Sequence, residues 1–373
     1  YNCFCSQEEL EIMRKEQKSQ GLKPRYDGTC RNRAEPKPDV NPVVRFKNPS
    51  TGKVIVKDRI RGKVIFDNSE LDDLVILRSD GVPTYNFSSV VDDSEMGITH
   101  VVRGDDHLNN TPRQLNIMEA LGVIPPEFAH VPMILGPDGS RLSKRHGALS
   151  VLAYRDEGLV AEAFLNYLVR LGWSHGDQEI FTLTELIENF DLEQVNESAA
   201  SFDVEKLMWV NQQWIKKLPA KRLADELKVF LEADGINVND MALLQDICET
   251  QRDRVNTFVD MAKKSHFIYQ EPKQYSEKAA RKHLNVAALP ILESLESMLS
   301  KEDEWTIAST QLAVEKVASD LNLKMGKVAQ PLRVAVTGDS ASPGIGQTLS
   351  LLGQDKVLIR IHKAIKYVSD IEE

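Results

Sequence analysis

An α/β domain followed by an all-α part is the fold class that the sequence predicts, on three observations. Short β-rich runs broken by turn formers fill residues 41–77. A strand, a charged loop and a capped helix follow in direct succession between Ile98 and Gly122. After Leu149 the apolar residues recur at helical spacing almost to the end.

The chain of 373 residues has room for two or three domains, and it opens on Tyr1 with no initiator Met, reading as if it begins inside a domain. Hydrophobic residues make up 42% and charged residues 27%, and no apolar run reaches the length of a membrane span, so no membrane partner is expected. With 46 basic against 56 acidic residues the net charge is −10, which argues against indiscriminate nucleic-acid binding but leaves open a local track of cations. Four cysteines, at positions 3, 5, 30 and 248, are too few for a disulfide framework and point to a reducing, cytoplasmic setting.

In order along the chain, Ser6-Gln-Glu-Glu9 is a capping box opening a polar helix that reaches about Gln20. A helix and turn between Cys3, Cys5 and Cys30 would gather three thiolates, either as zinc ligands or as reduced, unliganded thiols. Val43–Phe46, Lys53–Val56, Val64–Phe66 and Leu74–Leu77 read as a small antiparallel insertion apart from the main sheet. The strand at Ile98–Val102 runs into Arg103-Gly-Asp-Asp-His107, and a helix follows, with Asn110 as cap, Pro112 in its first turn and Gly122 as stop. That is one unit of a doubly wound sheet, where ligands bind at the carboxyl ends of the strands. Val131–Leu135 reads as the next strand, so the loop Gly136–Gly147 would face the same crevice. Its Arg141-Leu-Ser-Lys-Arg145 packs three cations and a hydroxyl into five residues, a composition that suits either a solvated basic turn or a clamp on phosphates.

Helices are expected at Glu162–Leu171, Thr182–Asn189 and Phe202–Val210, with Trp209 and Trp214 in the core, and Gly326–Arg333 as a loop. Helical patterns return at Gln347–Leu352 and Lys356–Tyr367. Basic clusters at 216–222, 252–264 and 278–283 suggest a track for a long polyanion.

Arg141-Leu-Ser-Lys-Arg145 resembles the K-[ML]-S-K-[SR] signature of class I aminoacyl-tRNA synthetases, with Arg141 in place of the usual first Lys. Asp80–Phe87, Val90–Asp93, Arg103–Gln114 and Leu165–Trp173 resemble, more specifically, bacterial glutamyl-tRNA synthetases. The resemblance runs from Tyr1 to the C-terminal helices. It implies a partial Rossmann-type nucleotide-binding domain with a small α+β insertion, then helical stem-contact and anticodon-binding domains. The implied divisions are 1–84 (remainder of the acceptor-end-binding insertion), 85–140 (second Rossmann half), 141–221 (signature loop and stem contact), 222–276 and 277–373 (anticodon-binding).

By resemblance, Tyr85, Ser89 and Arg103 line the glutamate pocket, Arg103 holding the side-chain carboxylate. Arg141, Lys144, Asp106 and His107 contact ATP, used with Mg2+, and Ser143, Lys144 and Arg145 assist the transition state. Arg254 reads the last anticodon base and Arg333 contacts the anticodon. Cys3, Cys5 and Cys30 match a zinc site of part of the family, whose fourth ligand is a Tyr four residues before the last Cys (Tyr26 here) or a residue two after it, where this chain has Asn32. The resemblance implies a monomer that activates L-glutamate with ATP and transfers it to tRNA-Glu. The family's second signature, H-x-G-H, is matched by none of the eight histidines and is expected upstream of Tyr1. The alternative expectation is a non-catalytic tRNA-binding fragment.

Overall fold

The computed structural model describes residues 1–33, 35, 37, 40–143 and 150–372. The chain divides into two compact units, one of Tyr1–Ala148 with Leu168–Phe202 and the other of Leu149–Tyr167 with Asp203–Glu373.

The first unit carries the β structure. Its elements are β1 (Asn2–Cys3), α1 (Gln7–Ser19), β2 (Val43–Arg45), β3 (Lys53–Asp58), β4 (Gly62–Asp67), β5 (Val75–Leu77), α2 (Tyr85–Glu95), β6 (His100–Gly104), α3 (Thr111–Leu121), β7 (Glu127–Val131) and β8 (Ile134–Leu135). The expected capping box is formed: Ser6 Oγ accepts from Glu9 N–H, and the Glu9 carboxylate accepts from Ser6 N–H. β1, β2 and β5 make a small antiparallel sheet. β6 and β7 pair in parallel from His100↔Glu127 to Gly104↔Val131, joined by α3, so the strand–helix–strand unit is present. Gly122 ends α3 in the left-handed region at φ 67°, whereas the Asn110 side chain makes no cap bond.

Two expectations about strands need correction. The hairpin β3–β4 is not apart from the main sheet: β3 pairs in parallel with β7 at Asp58↔Phe128, giving the order β4-β3-β7-β6. The reason lies in its alternation, which turns Val54, Val56 and Asp58 inward. Nor is Val131–Leu135 one strand. β7 closes at Val131 and β8 opens at Ile134, because Pro132 between them has no N–H to give a ladder. Val90, Ile117, Met118 and Phe128 form the core under this sheet.

The helical expectations mostly hold. Helices α4 (Val151–Asp156), α5 (Ala161–Gly172) and α6 (Leu183–Asn189) precede strand β9 (Ala200–Ser201), which pairs with β8. Helix α7 (Val204–Lys217) buries Trp214, but Trp209 is 40% exposed under the ammonium of Lys206 and is not core. The second unit continues through α8 (Ala220–Ala233), α9 (Met241–Gln251), α10 (Phe258–Tyr269), α11 (Glu277–His283), α12 (Leu289–Leu299), α13 (Ile307–Asp320), α14 (Met325–Thr337), α15 (Ile345–Leu352) and α16 (Gln354–Glu372). Gly326–Arg333 is therefore helix, not loop, with Pro331 inside α14. Burying Val328, Leu332, Val334 and Val336 contributes roughly 1.5–3 kcal/mol each, more than the roughly 3 kcal/mol that an interior proline costs. Among the described residues no helix is long and apolar enough to cross a membrane.

Candidate functional site

β6 delivers Arg103 to the carboxyl end of the parallel pair, and there every nitrogen of its guanidinium has a partner. Nε donates to His130 Nε2 (3.1 Å), Nη2 to Thr111 Oγ1 (2.7 Å) and Gln114 Oε1 (2.8 Å), and Nη1 to Tyr85 Oη (3.2 Å). A guanidinium has five N–H bonds, so among the described residues one on Nη1 is left beside the half-exposed Tyr85 ring, where it could donate to a ligand oxygen. Among the described residues Ser89 is not a hydrogen-bond partner of Arg103; its Oγ accepts from Gln114 Nε2 (3.1 Å), one step further back.

Behind Arg103 lies a buried pair that sequence reasoning missed. Asp58 at the end of β3 and His130 on β7 have fully buried side chains, 2.6 Å apart through Oδ2 and Nδ1. Burial pushes the Asp58 carboxyl up, but the N–H groups of Arg61, Ile60 and His130 and the imidazole outweigh this and hold it below its usual value. Burial keeps His130 below its usual value against the pull of Asp58, so the ring is neutral. The available signal was the strand alternation that aims Asp58 inward, and a lone histidine in the buried run Phe128–His130.

The two loops expected to share a crevice meet. Arg141 Nη1 lies 3.1 Å from Asp106 Oδ2, in an exposed pair. His107 stands beside Tyr85 with ring centroids 5.8 Å apart, and its Nδ1 faces the Asn110 amide at 3.2 Å. A Cβ at Gly104 would sit 2.6 Å from Asp106 Oδ1, so a larger residue there would displace the Asp106 carboxylate. Ser143 is partly buried at the end of the described loop, and Lys144 and Arg145 lie outside the described residues.

The thiols of Cys3, Cys5 and Cys30 lie within 4.8 Å of one another. Cys5 and Cys30 sulfurs are 3.6 Å apart, and Tyr26 Oη is 3.4 Å from Cys3 Sγ and 3.8 Å from Cys5 Sγ. With Zn–S bonds near 2.3 Å, the edges of a tetrahedral site are about 3.8 Å, so this donor set fits zinc. Asn32 is exposed, while Tyr26 is buried under the guanidinium of Arg45, 3.7 Å from the ring centroid. Burial opposes ionisation of Cys3, but hydrogen bonds from Tyr26 and Cys5 N–H, with the Arg45 charge, bring it down to about 7; burial pushes Cys5 up to about 12.

In the second unit, Arg254 and Arg333 converge on one carbonyl. Ser342 O accepts from Arg254 Nη1 at 2.9 Å and from Arg333 Nη1 at 3.0 Å. Arg254 and Ser342 border a cavity of about 670 Å³, lined also by Lys263, Lys264, Phe267 and Pro272 among others. Arg254 is exposed; burial and the neighbouring Arg254 charge lower the basicity of Arg333. Several members of the expected cation track are engaged internally: Arg222 forks onto Glu162 (2.7 and 2.8 Å), Arg252 donates to Ile215 O and Leu218 O, and Lys264 donates to Arg254 O (2.7 Å) and Asp260 Oδ2 (2.9 Å).

The parallel strand pair carries polar side chains at its carboxyl ends, where doubly wound sheets bind ligands, and the family comparison places the chain among the class I aminoacyl-tRNA synthetases. A family model described as tRNA synthetases class I (E and Q), catalytic domain, matches residues 1–209, and one for an anticodon binding domain matches residues 222–365. Curated relatives include glutamate–tRNA ligase 1 of Alkalilimnicola ehrlichii, 54% identical over 369 residues, 99% of this chain and 78% of the relative. Glutamate–tRNA ligase 2 of Halorhodospira halophila is 52% identical over 371 residues, 99% of this chain and 79% of the relative. Among solved structures, a glutamate tRNA ligase from Elizabethkingia meningosepticum in complex with its amino acid aligns with a TM-score of 0.86 at 31% identity, over 99% of this chain and 79% of that one. The chain thus belongs to the glutamate–tRNA ligases, the class I synthetases that join glutamate to tRNA at the expense of ATP. The alternative of a non-catalytic tRNA-binding fragment is not favoured, since relatives matching nearly its whole length are ligases.

Proposed function

We propose that this chain recognises L-glutamate through Arg103, whose remaining Nη1 N–H and the Tyr85 hydroxyl receive the substrate side-chain carboxylate. The observation that carries the reading is the tethering of Arg103 by Tyr85, Thr111, Gln114 and His130 at the carboxyl end of β6. A guanidinium fixed in this way presents a charge-assisted donor in one orientation, which favours a carboxylate over an amide. Ser89 supports the pocket through Gln114 rather than by direct contact. The first step forms glutamyl-adenylate and pyrophosphate; the second transfers the acyl group to a tRNA ribose hydroxyl. Arg141, Asp106 and His107 serve the nucleotide side of the crevice, and Ser143, Lys144 and Arg145 the phosphates. Catalysis is by positioning and charge stabilisation, with no covalent nucleophile from the protein. The test is tRNA-dependent ATP–pyrophosphate exchange in the full-length enzyme: Arg103→Ala should raise the glutamate KM strongly and the ATP KM little. An unchanged glutamate KM would sink the assignment.

In the helical unit, Arg254 is the reader of the last anticodon base, separating tRNA-Glu from tRNA-Gln, and Arg333, which donates to the same Ser342 carbonyl, is a second anticodon contact. The enzyme is read as a cytoplasmic monomer, with Zn2+ held by Cys3, Cys5, Cys30 and Tyr26 as a structural staple for the N-terminal sheet.

A further inference from the structure

Asp58 and His130 take no part in the chemistry assigned above, yet they stand directly behind Arg103. We propose that they are positioning residues for glutamate recognition: Asp58 fixes the tautomer of His130, and His130 fixes the plane of the Arg103 guanidinium. The proposal rests on the reading of Arg103 as the carboxylate-holding residue.

The geometry runs one way along the chain of contacts. Asp58 Oδ1 accepts from the N–H groups of Ile60 (3.0 Å), Arg61 (2.9 Å) and His130 (3.3 Å), which locks the carboxylate in place. Oδ2 then faces His130 Nδ1 at 2.6 Å. An ionised carboxylate only accepts, so the imidazole proton is on Nδ1 and the lone pair is on Nε2. That lone pair faces Arg103 Nε–H at 3.1 Å and the Thr111 hydroxyl at 3.0 Å. Holding Nε as well as Nη2 pins two edges of the guanidinium, and Nη1 is left at the mouth. The other tautomer, or an imidazolium, would set N–H against N–H at this contact. Asp58 comes from the β3–β4 hairpin, which gives that hairpin a reason to join the parallel sheet at this residue.

A purely structural role for the buried pair predicts a different outcome from a positioning role, and Asp58→Asn separates them. Three backbone N–H groups keep the side-chain carbonyl of the variant where Oδ1 lies, so its amide must face Nδ1. The proton then moves to Nε2, against Arg103, as in other cases where an Asp→Asn change imposes the wrong tautomer. In exchange assays on the full-length enzyme, Asp58→Asn and His130→Leu should each raise the glutamate KM by about tenfold or more, with the ATP KM within about twofold. His130→Gln, which keeps a carbonyl acceptor for Arg103, should recover most of the affinity. The proposal is overturned if Asp58→Asn and His130→Leu leave the glutamate KM within about twofold, if they raise both KM values in parallel, or if His130→Gln is as impaired as His130→Leu. Arg103→Ala is run beside them. If it too leaves the glutamate KM unchanged, the reading of Arg103 fails; if it alone is impaired, only the relay fails.

Discussion

In the proposed reading Arg103 and Arg254 have the same task, recognising one polar edge of a substrate, and they are built differently. Arg103 is held through all three guanidinium nitrogens, with a fully buried histidine–aspartate pair behind it. Arg254 is exposed, and among the described residues its guanidinium donates to a single carbonyl, Ser342 O, which it shares with Arg333. The difference follows the ligands. Glutamate differs from glutamine by one polar group, and rejecting the isostere requires a donor whose orientation is fixed in advance. An anticodon base arrives on a flexible polymer with many other contacts, so its reader gains from reach and needs less preorganisation.

The largest expected effect is at the tethered site. Arg103→Ala removes a charge-assisted contact and leaves Thr111, Gln114 and His130 without their donor, so kcat/KM for glutamate should fall by about 100-fold or more. At the untethered site, Arg254→Gln should lower the preference for tRNA-Glu over tRNA-Gln by about tenfold, within the 1–3 kcal/mol that one base contact provides, and leave the glutamate KM alone. If that preference is unchanged, Arg254 is not the reader and the comparison collapses.

Outside both sites, protein purified without chelator should carry up to one zinc per chain by elemental analysis, and Tyr26→Phe should weaken its retention against a chelator by about tenfold. Finding no metal would remove the zinc assignment. The smallest effect concerns pH. His130 is held below its unfolded value of about 6.5, so below that pH the unfolded chain takes up a proton that the folded chain resists. Stability should therefore decline as pH falls through about 6.5, and thermal melts of His130→Gln should show a shallower decline.

The sequence made the outer layer of the site legible and concealed the layer behind it. Arg103-Gly-Asp-Asp-His107 was readable because charged residues follow an apolar strand and precede a capped helix. Asp58 and His130 are 72 residues apart, and neither belongs to a polar motif; only sheet pairing brings them together. Gly326 and Pro331 looked like loop punctuation because burial around the whole of α14 is a tertiary fact that local propensity does not carry. Trp209 and Trp214 are five residues apart, about 140° around a helix, so only Trp214 shares the buried face; the apolar pattern identified the helix without identifying its buried stripe.

The central claim is that the buried pair acts through Arg103, and a double-mutant cycle between Asp58→Asn and Arg103→Lys measures it directly in kcat/KM for glutamate. If Asp58 serves to orient Arg103, Asp58→Asn should cost about tenfold in the parent enzyme and less than about twofold once Arg103 is Lys. Equal costs in both backgrounds would show that the two residues act independently and would contradict the account.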